Sequence, residues 1–233
     1  MTAVLGEDER AALRQEIAAH GLEADPFVVD GPRVPTWGLN LAVGWPLPVD
    51  RGAYGALAGG LAALDPGLYV YPHAQTHVTV LTLVSFKEHV SPSAAEIAGL
   101  AALIPLVNAV VDPIARAFGP IALEIGAPVL ARRAAFFPIA DPAGALARLR
   151  QQVLSALRAC SRRFDRCQPP RAVHSTVARF RAAPAPAFER RFDEWARDRA
   201  LGSVRVDALL MTTETLPYMR AGEIVAKWPL AGR

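Results

Sequence analysis

The chain has 233 residues, of which 52% are hydrophobic and 20% charged. That is enough to bury a substantial core in one large domain or two intimate lobes, and the balance excludes a disordered chain. The formal charge is only +3, and arginine supplies nearly all the positive side, since Lys87 and Lys227 are the only lysines. Arginine's planar fork suits phosphate, but an Ala-, Arg- and Pro-rich composition also follows from GC-rich coding, so charge alone selects no function. Two cysteines, Cys160 and Cys167, are too few for a disulfide scaffold or a four-ligand zinc site, and both are expected to be reduced thiols. The opening MTAVLGEDER is acidic and lacks the basic and apolar regions of a signal peptide. The apolar stretch Ile97 to Val111 is short and interrupted by Pro105 and Asn108, which argues against a membrane span. A soluble, cytoplasmic and monomeric protein with no membrane partner is expected.

In chain order, Glu7 to Ala19 has apolar residues at helical spacing and stops at Gly21. A connector, Pro26 to Pro35, follows, so residues 1–35 are expected to precede a single domain over 36–233. Trp37 to Val43 alternates large apolar with small or polar residues and predicts a strand; Tyr54 to Leu64 predicts a helix through Leu57, Leu61 and Leu64. Leu68 to Tyr71 and Thr76 to Ser85 predict strands, the second dense in β-branched residues. Ser93 and Glu96 form a capping box that opens a helix through about Val110. Ile121 to Ile125 and Val129 to Ile139 predict an antiparallel pair, and Asp141 and Pro142 open a helix to Ala159. Ala172 to Phe180 is again a strand pattern and Phe188 to Arg199 an amphipathic helix. Val204 to Thr213 with Ile224 to Trp228 predicts a last strand pair. Hairpins without regular strand and helix alternation predict an α+β fold with antiparallel sheets.

Two tetrads carry the chemistry, His77-Val78-Thr79-Val80 and His174-Ser175-Thr176-Val177. Residues two apart on a strand share a face, so each tetrad presents an imidazole beside a hydroxyl. The imidazole gives or takes a proton near neutrality, and the hydroxyl donates to a phosphate oxygen. Two such strands facing across a cleft would set a base and an acid on opposite sides of a phosphorus centre, as in-line displacement requires. The other histidines, His20, His73 and His89, have Leu22, Gln75 and Ser91 two residues on and do not fit the pattern. A metallohydrolase is disfavoured, because no acidic or cysteine partner is spaced near either tetrad.

The paired tetrads resemble those of the 2H phosphoesterase superfamily, especially the bacterial RNA 2′,3′-cyclic phosphodiesterase and 2′-5′ RNA ligase group. The resemblance runs from about Thr36 to Leu230 and includes Trp-Pro-Leu-Pro at 45–48, His-Ser-Thr-Val-Ala-Arg at 174–179 and the closing Trp228-Pro229-Leu230. It implies two antiparallel lobes related by a pseudo-twofold axis, helices packed outside and a central cleft. It also implies a cofactor- and metal-independent phosphodiesterase acting on a 2′,3′-cyclic phosphate or 2′-5′ linkage in RNA or a nucleotide. His77 and His174 match the family's catalytic positions, and Thr79 and Thr176 its phosphate-binding positions. Valine closes each tetrad where leucine is common, and the Tyr71 to Thr76 lead-in differs from the family's, which leaves the substrate open. The alternatives are a non-catalytic nucleotide- or RNA-binding module of the same fold, and a 2′-5′ RNA ligase.

Three further side chains are candidates for substrate contact. Arg179 follows His174 at a place where the family often carries a cleft residue, but strand parity turns it away. Trp45 and Tyr218 could stack on a nucleobase. Phe136 and Phe137, as strand neighbours, should face opposite ways, and His73 reads as a loop residue.

Overall fold

The computed structural model describes residues 5–28, 34–167, 169–170 and 172–232. Its strands form two antiparallel sheets. The first consists of β1 (Gly38–Val43), β3 (Val78–Val84), β9 (Ala208–Leu216) and β10 (Ala221–Pro229), in the order β10-β9-β1-β3. The second runs β2-β7-β6-β4-β8, from β2 (Leu68–Val70), β7 (His174–Phe180), β6 (Ala134–Ala140), β4 (Ile121–Ile125) and β8 (Gly202–Val206), with β5 (Val129–Ala131) hairpinned onto β6. The expected α+β architecture with two antiparallel sheets is therefore present.

The chain does not fill one sheet and then the other. β2 leaves the first half of the sequence to pair with β7, while β9 and β10 return from the C-terminal end to complete the sheet of β1. The expected strand Val204 to Thr213 is two strands, because the backbone changes sheets at Asp207: Val206 pairs with Ile121, and Ala208 with Pro229. The expected strand Val129 to Ile139 is likewise split, into β5 and β6. Only Glu124 and Ile125 of β4 pair with β6.

The helices follow local rules with shifted ends. Helix α1 (Glu7–His20) stops at Gly21, whose φ of 71° is available to glycine without strain. Helix α2 (Arg51–Ala62) starts three residues before the expected Tyr54, capped by Asp50. The capping box of Ser93 and Glu96 opens α3 (Ala94–Ala101), and α4 (Leu103–Ala117) continues past Val110. By length and composition, Ala94–Ala117 is apolar enough to cross a membrane. Here α4 lays Leu103, Val107, Val111 and Ala115 inward, while Asn108 accepts the indole N–H of Trp228 on β10 at 3.2 Å. Asp141 caps α5 (Ala145–Cys160) as expected by accepting the amides of Ala145 and Ala147, although the helix begins after Gly144 and not at Pro142. α6 (Phe188–Ala196) buries Phe188, Phe192 and Trp195.

Both motif strands carry a β-bulge at the same place. On β3, Leu41 faces Leu81 and the next partner pair is Ala42 with Thr79, so Val80 is the extra residue. On β7, Ala135 faces Ala178 and Phe136 faces Thr176, so Val177 is extra. In each case the bulged valine is the tetrad's fourth residue. A bulge reverses face parity beyond it. In both strands, two consecutive buried residues follow the threonine, Val80 and Leu81 in one and Val177 and Ala178 in the other.

Candidate active site

The two tetrads meet at one cleft of about 420 Å³ between the sheets, lined by His77, Thr79, His174 and Thr176. The histidines are held in matching ways. His77 Nδ1 lies 2.9 Å from the carbonyl of Gln75, and His174 Nδ1 lies 3.1 Å from that of Ala172. A carbonyl only accepts, so Nδ1 carries the proton in both rings, and in the neutral state each Nε2 has a free lone pair. Among the described residues neither Nε2 has a hydrogen-bond partner. Burial, with His174 and Arg179 pushing the same way against the Gln75 hydrogen bond, lowers the pKa of His77 to about 4. Burial also lowers that of His174, helped by Arg179 and Arg150 and opposed by the Ala172 carbonyl. The cleft therefore holds two neutral imidazoles at pH 7.

Arg179 enters the cleft, against the expectation from parity. The bulge at Val177 flips the strand, so the fifth residue after His174 returns to the histidine's face. Thr82, five residues after His77 and beyond the matching bulge at Val80, also lines the cleft. The sequence signal for both was the repeated His-x-Thr spacing, but strict alternation hid it.

Arg179 is fixed on three sides. Its Nη1 donates to Asp25 Oδ2 at 2.7 Å, its Nε donates to Tyr71 Oη at 3.3 Å, and its guanidinium carbon sits 3.3 Å over the ring of Tyr218. Burial works against its charge, but Tyr71, Tyr218 and Asp25 outweigh it and raise its pKa, so it stays cationic. Its Nη2 is left without a partner among the described residues. Asp25 is fully buried and also accepts from the Tyr218 hydroxyl at 3.1 Å and the Phe27 amide at 3.0 Å. Its backbone is tied to the second sheet by Asp25 N–H to Phe180 O at 2.8 Å.

Tyr218 lines the cleft as a wall, one face against Arg179 and its edges against Phe27 and Phe86. It has φ 61°, and the turn is held by Glu214, whose buried carboxyl accepts the Met219 amide at 2.8 Å and the Asn40 side chain at 3.0 Å. Burial raises the pKa of Glu214 against those donors. Trp45 lies outside the cleft; its ring meets that of His77 edge-on at 6.4 Å, and it borders a different, shallow depression. His73 is structural, with Nε2 3.0 Å from Leu47 O and its ring against Tyr54. Phe136 and Phe137 do face opposite ways, Phe136 edge-on to His174 and Phe137 against Tyr54.

Arg150 of α5 reaches across to donate to Thr79 O at 2.7 Å and braces the first tetrad from behind. Together with Asp25, Tyr71 and Glu214, it escaped the sequence reading, because none of these four has a local pattern that ties it to a histidine. Among the described residues, no three His, Cys, Asp or Glu side chains converge as metal ligands would.

No protein-family model and no curated protein matches the sequence. Solved structures do. TT0787 of Thermus thermophilus superposes with a TM-score of 0.57 at 19% identity, over 84% of this chain and 99% of that one. E. coli LigT complexed with 3′-AMP gives 0.53 at 15% identity, over 84% and 99%. A further phosphoesterase gives 0.53 at 16%, over 86% and 99%. The fold is the one these three solved structures share. Within this fold the two tetrads occupy equivalent places on the two sheets, each bulged at its fourth residue and each with Nδ1 bound to the carbonyl two residues before the histidine.

Proposed function

We propose that this protein is a metal-independent phosphodiesterase that opens a 2′,3′-cyclic phosphate, or cleaves a 2′-5′ phosphodiester, at the end of an RNA or in a small nucleotide. The observation that carries the reading is the matched presentation of two Nε2 atoms in one cleft with Thr79, Thr176 and the pinned cation Arg179. One neutral Nε2 takes the proton of water as its oxygen attacks phosphorus. The bond from phosphorus to the 2′ or 3′ oxygen breaks, and the other histidine, protonated, gives that oxygen its proton. Thr79, Thr176 and Arg179 Nη2 hold the non-bridging oxygens, where charge accumulates. The bound phosphate supplies the negative charge that lifts the acid's depressed pKa. In the reverse direction the same groups would join a 2′-5′ linkage. E. coli LigT, similar in fold, has been crystallised with 3′-AMP and with NADP+, which fits a nucleotide in this cleft.

The test is turnover of 2′,3′-cyclic mononucleotides and of short RNAs ending in a cyclic phosphate, in EDTA. His77→Ala and His174→Ala should each lose roughly a hundredfold or more. Full activity in either variant refutes the two-histidine scheme. Binding of these RNAs without turnover by the wild type would assign a binding module.

A further inference from the structure

A second cavity, of about 760 Å³, opens directly beside the cleft. The two share Thr82 and Ser85 as a common wall. Its floor is apolar, with Leu83, Leu100, Leu103 and the buried Cys167, whose thiol is turned to the Leu83 carbonyl at 3.4 Å. Two exposed arginines, Arg163 and Arg166, stand at the rim, and neither makes an ion pair among the described residues. The opposite rim carries Glu88, His89 and Glu96. The volume is within the range of about 300–1,000 Å³ common to small-molecule sites.

We propose that this cavity is a nucleoside subsite, so that the preferred substrate is an oligonucleotide and not a free cyclic mononucleotide. The proposal rests on the phosphodiesterase reading above. The terminal phosphate lies between the histidines, and the chain passes Thr82 and Ser85 into the neighbouring cavity. There the next base lies against Leu100 and Leu103, and its phosphate meets Arg163 and Arg166. An apolar floor accepts the face of any base, and guanidinium groups at the rim meet the backbone, which is how single-stranded nucleic acid is held without sequence preference. Glu88 and Glu96 limit how much anionic backbone this rim can take, which favours one phosphate over a long tract.

Gly99 offers a clean plug. It lines the cavity, lies in α3, and a Cβ there meets nothing within 4 Å. Gly99→Trp should fill the space without disturbing the helix, and Arg163→Gln/Arg166→Gln should remove the rim cations. Each is compared with wild type for kcat/KM on a 2′,3′-cyclic mononucleotide and on a tetranucleotide ending in the cyclic phosphate. Binding of a labelled tetranucleotide ending in a 3′-phosphate is measured by fluorescence anisotropy, with thermal unfolding as the check on folding. The expected result is a loss of about tenfold or more on the tetranucleotide, in turnover and binding, with the mononucleotide changed less than twofold. Equal loss on both substrates, or no loss on the tetranucleotide, overturns the subsite. If wild type turns over neither substrate, the phosphodiesterase reading fails, and the binding comparison still decides the subsite: weaker binding by both variants supports it, and unchanged binding overturns it.

Discussion

Replacing Asp25 with asparagine tests whether a residue from the segment between α1 and β1 holds the cleft's cation. The change keeps the shape of a side chain that is 0% exposed but removes the charge 2.7 Å from Arg179, itself only 14% exposed. An ion left in a buried site without its partner typically costs about 3–5 kcal/mol. Because the remaining donors, the Phe27 amide and the Tyr218 hydroxyl, can still satisfy an asparagine oxygen, the low end, about 3 kcal/mol, is expected. For a chain of this length that lowers Tm by roughly 6–12 °C. The guanidinium, released on one side, should also lose its aim, with kcat/KM on a cyclic phosphate falling about tenfold to a hundredfold. Urea unfolding and initial rates are measured for Asp25→Asn, Arg179→Met and the double variant. Since both changes break one pair, the double variant should be little worse than the worse single one. Additive losses, or an Asp25→Asn protein within about 0.5 kcal/mol of wild type, would refute the coupling.

Thr79→Val and Thr176→Val conserve shape and strand character but remove the hydroxyl, so each should lower kcat about tenfold to a hundredfold with Tm nearly unchanged; equal kcat in steady-state assays rules out a phosphate contact. The pKa of His77, about 4 when folded against the usual 6.5, favours the neutral ring in the native state. Its contribution to stability is therefore fully present above pH 6.5 and is lost as pH falls toward 4. Urea unfolding should show a loss of about 1–2 kcal/mol between pH 7 and pH 5 that is smaller in His77→Gln; identical slopes in the two proteins would count against a depressed His77. Arg179→Gln removes a charge that depresses both histidines, so both should titrate at higher pH when followed by NMR. A Cβ at Gly222 would stand 2.0 Å from Thr213 O, so Gly222→Ala must spread β9 from β10, and unfolding should show a loss of about 2 kcal/mol or more.

The catalytic candidates were legible as residues because they are local. A β-branched run with His and Thr two apart states both the strand and the shared face, so His77 with Thr79 and His174 with Thr176 could be read before any fold was known. The same holds for the caps at Ser93 and Asp141 and the stop at Gly21, each set by hydrogen bonds within a few residues.

What lay beyond local reach was the pairing. A bulge exists only relative to a partner strand, so the parity that turned Arg179 away could be corrected only once Ala135 and Phe136 were found opposite Ala178 and Thr176. The division of Val204 to Thr213 at Asp207 likewise depends on which sheets its two halves join. Asp25 and Tyr218 stand 193 positions apart in sequence and meet at 3.1 Å, and Glu214 lies 174 positions from Asn40. Side-chain type and spacing determined which groups can do the chemistry. Burial of both sheets' apolar faces, with every backbone donor and acceptor needing a partner, decided which distant residues would surround them.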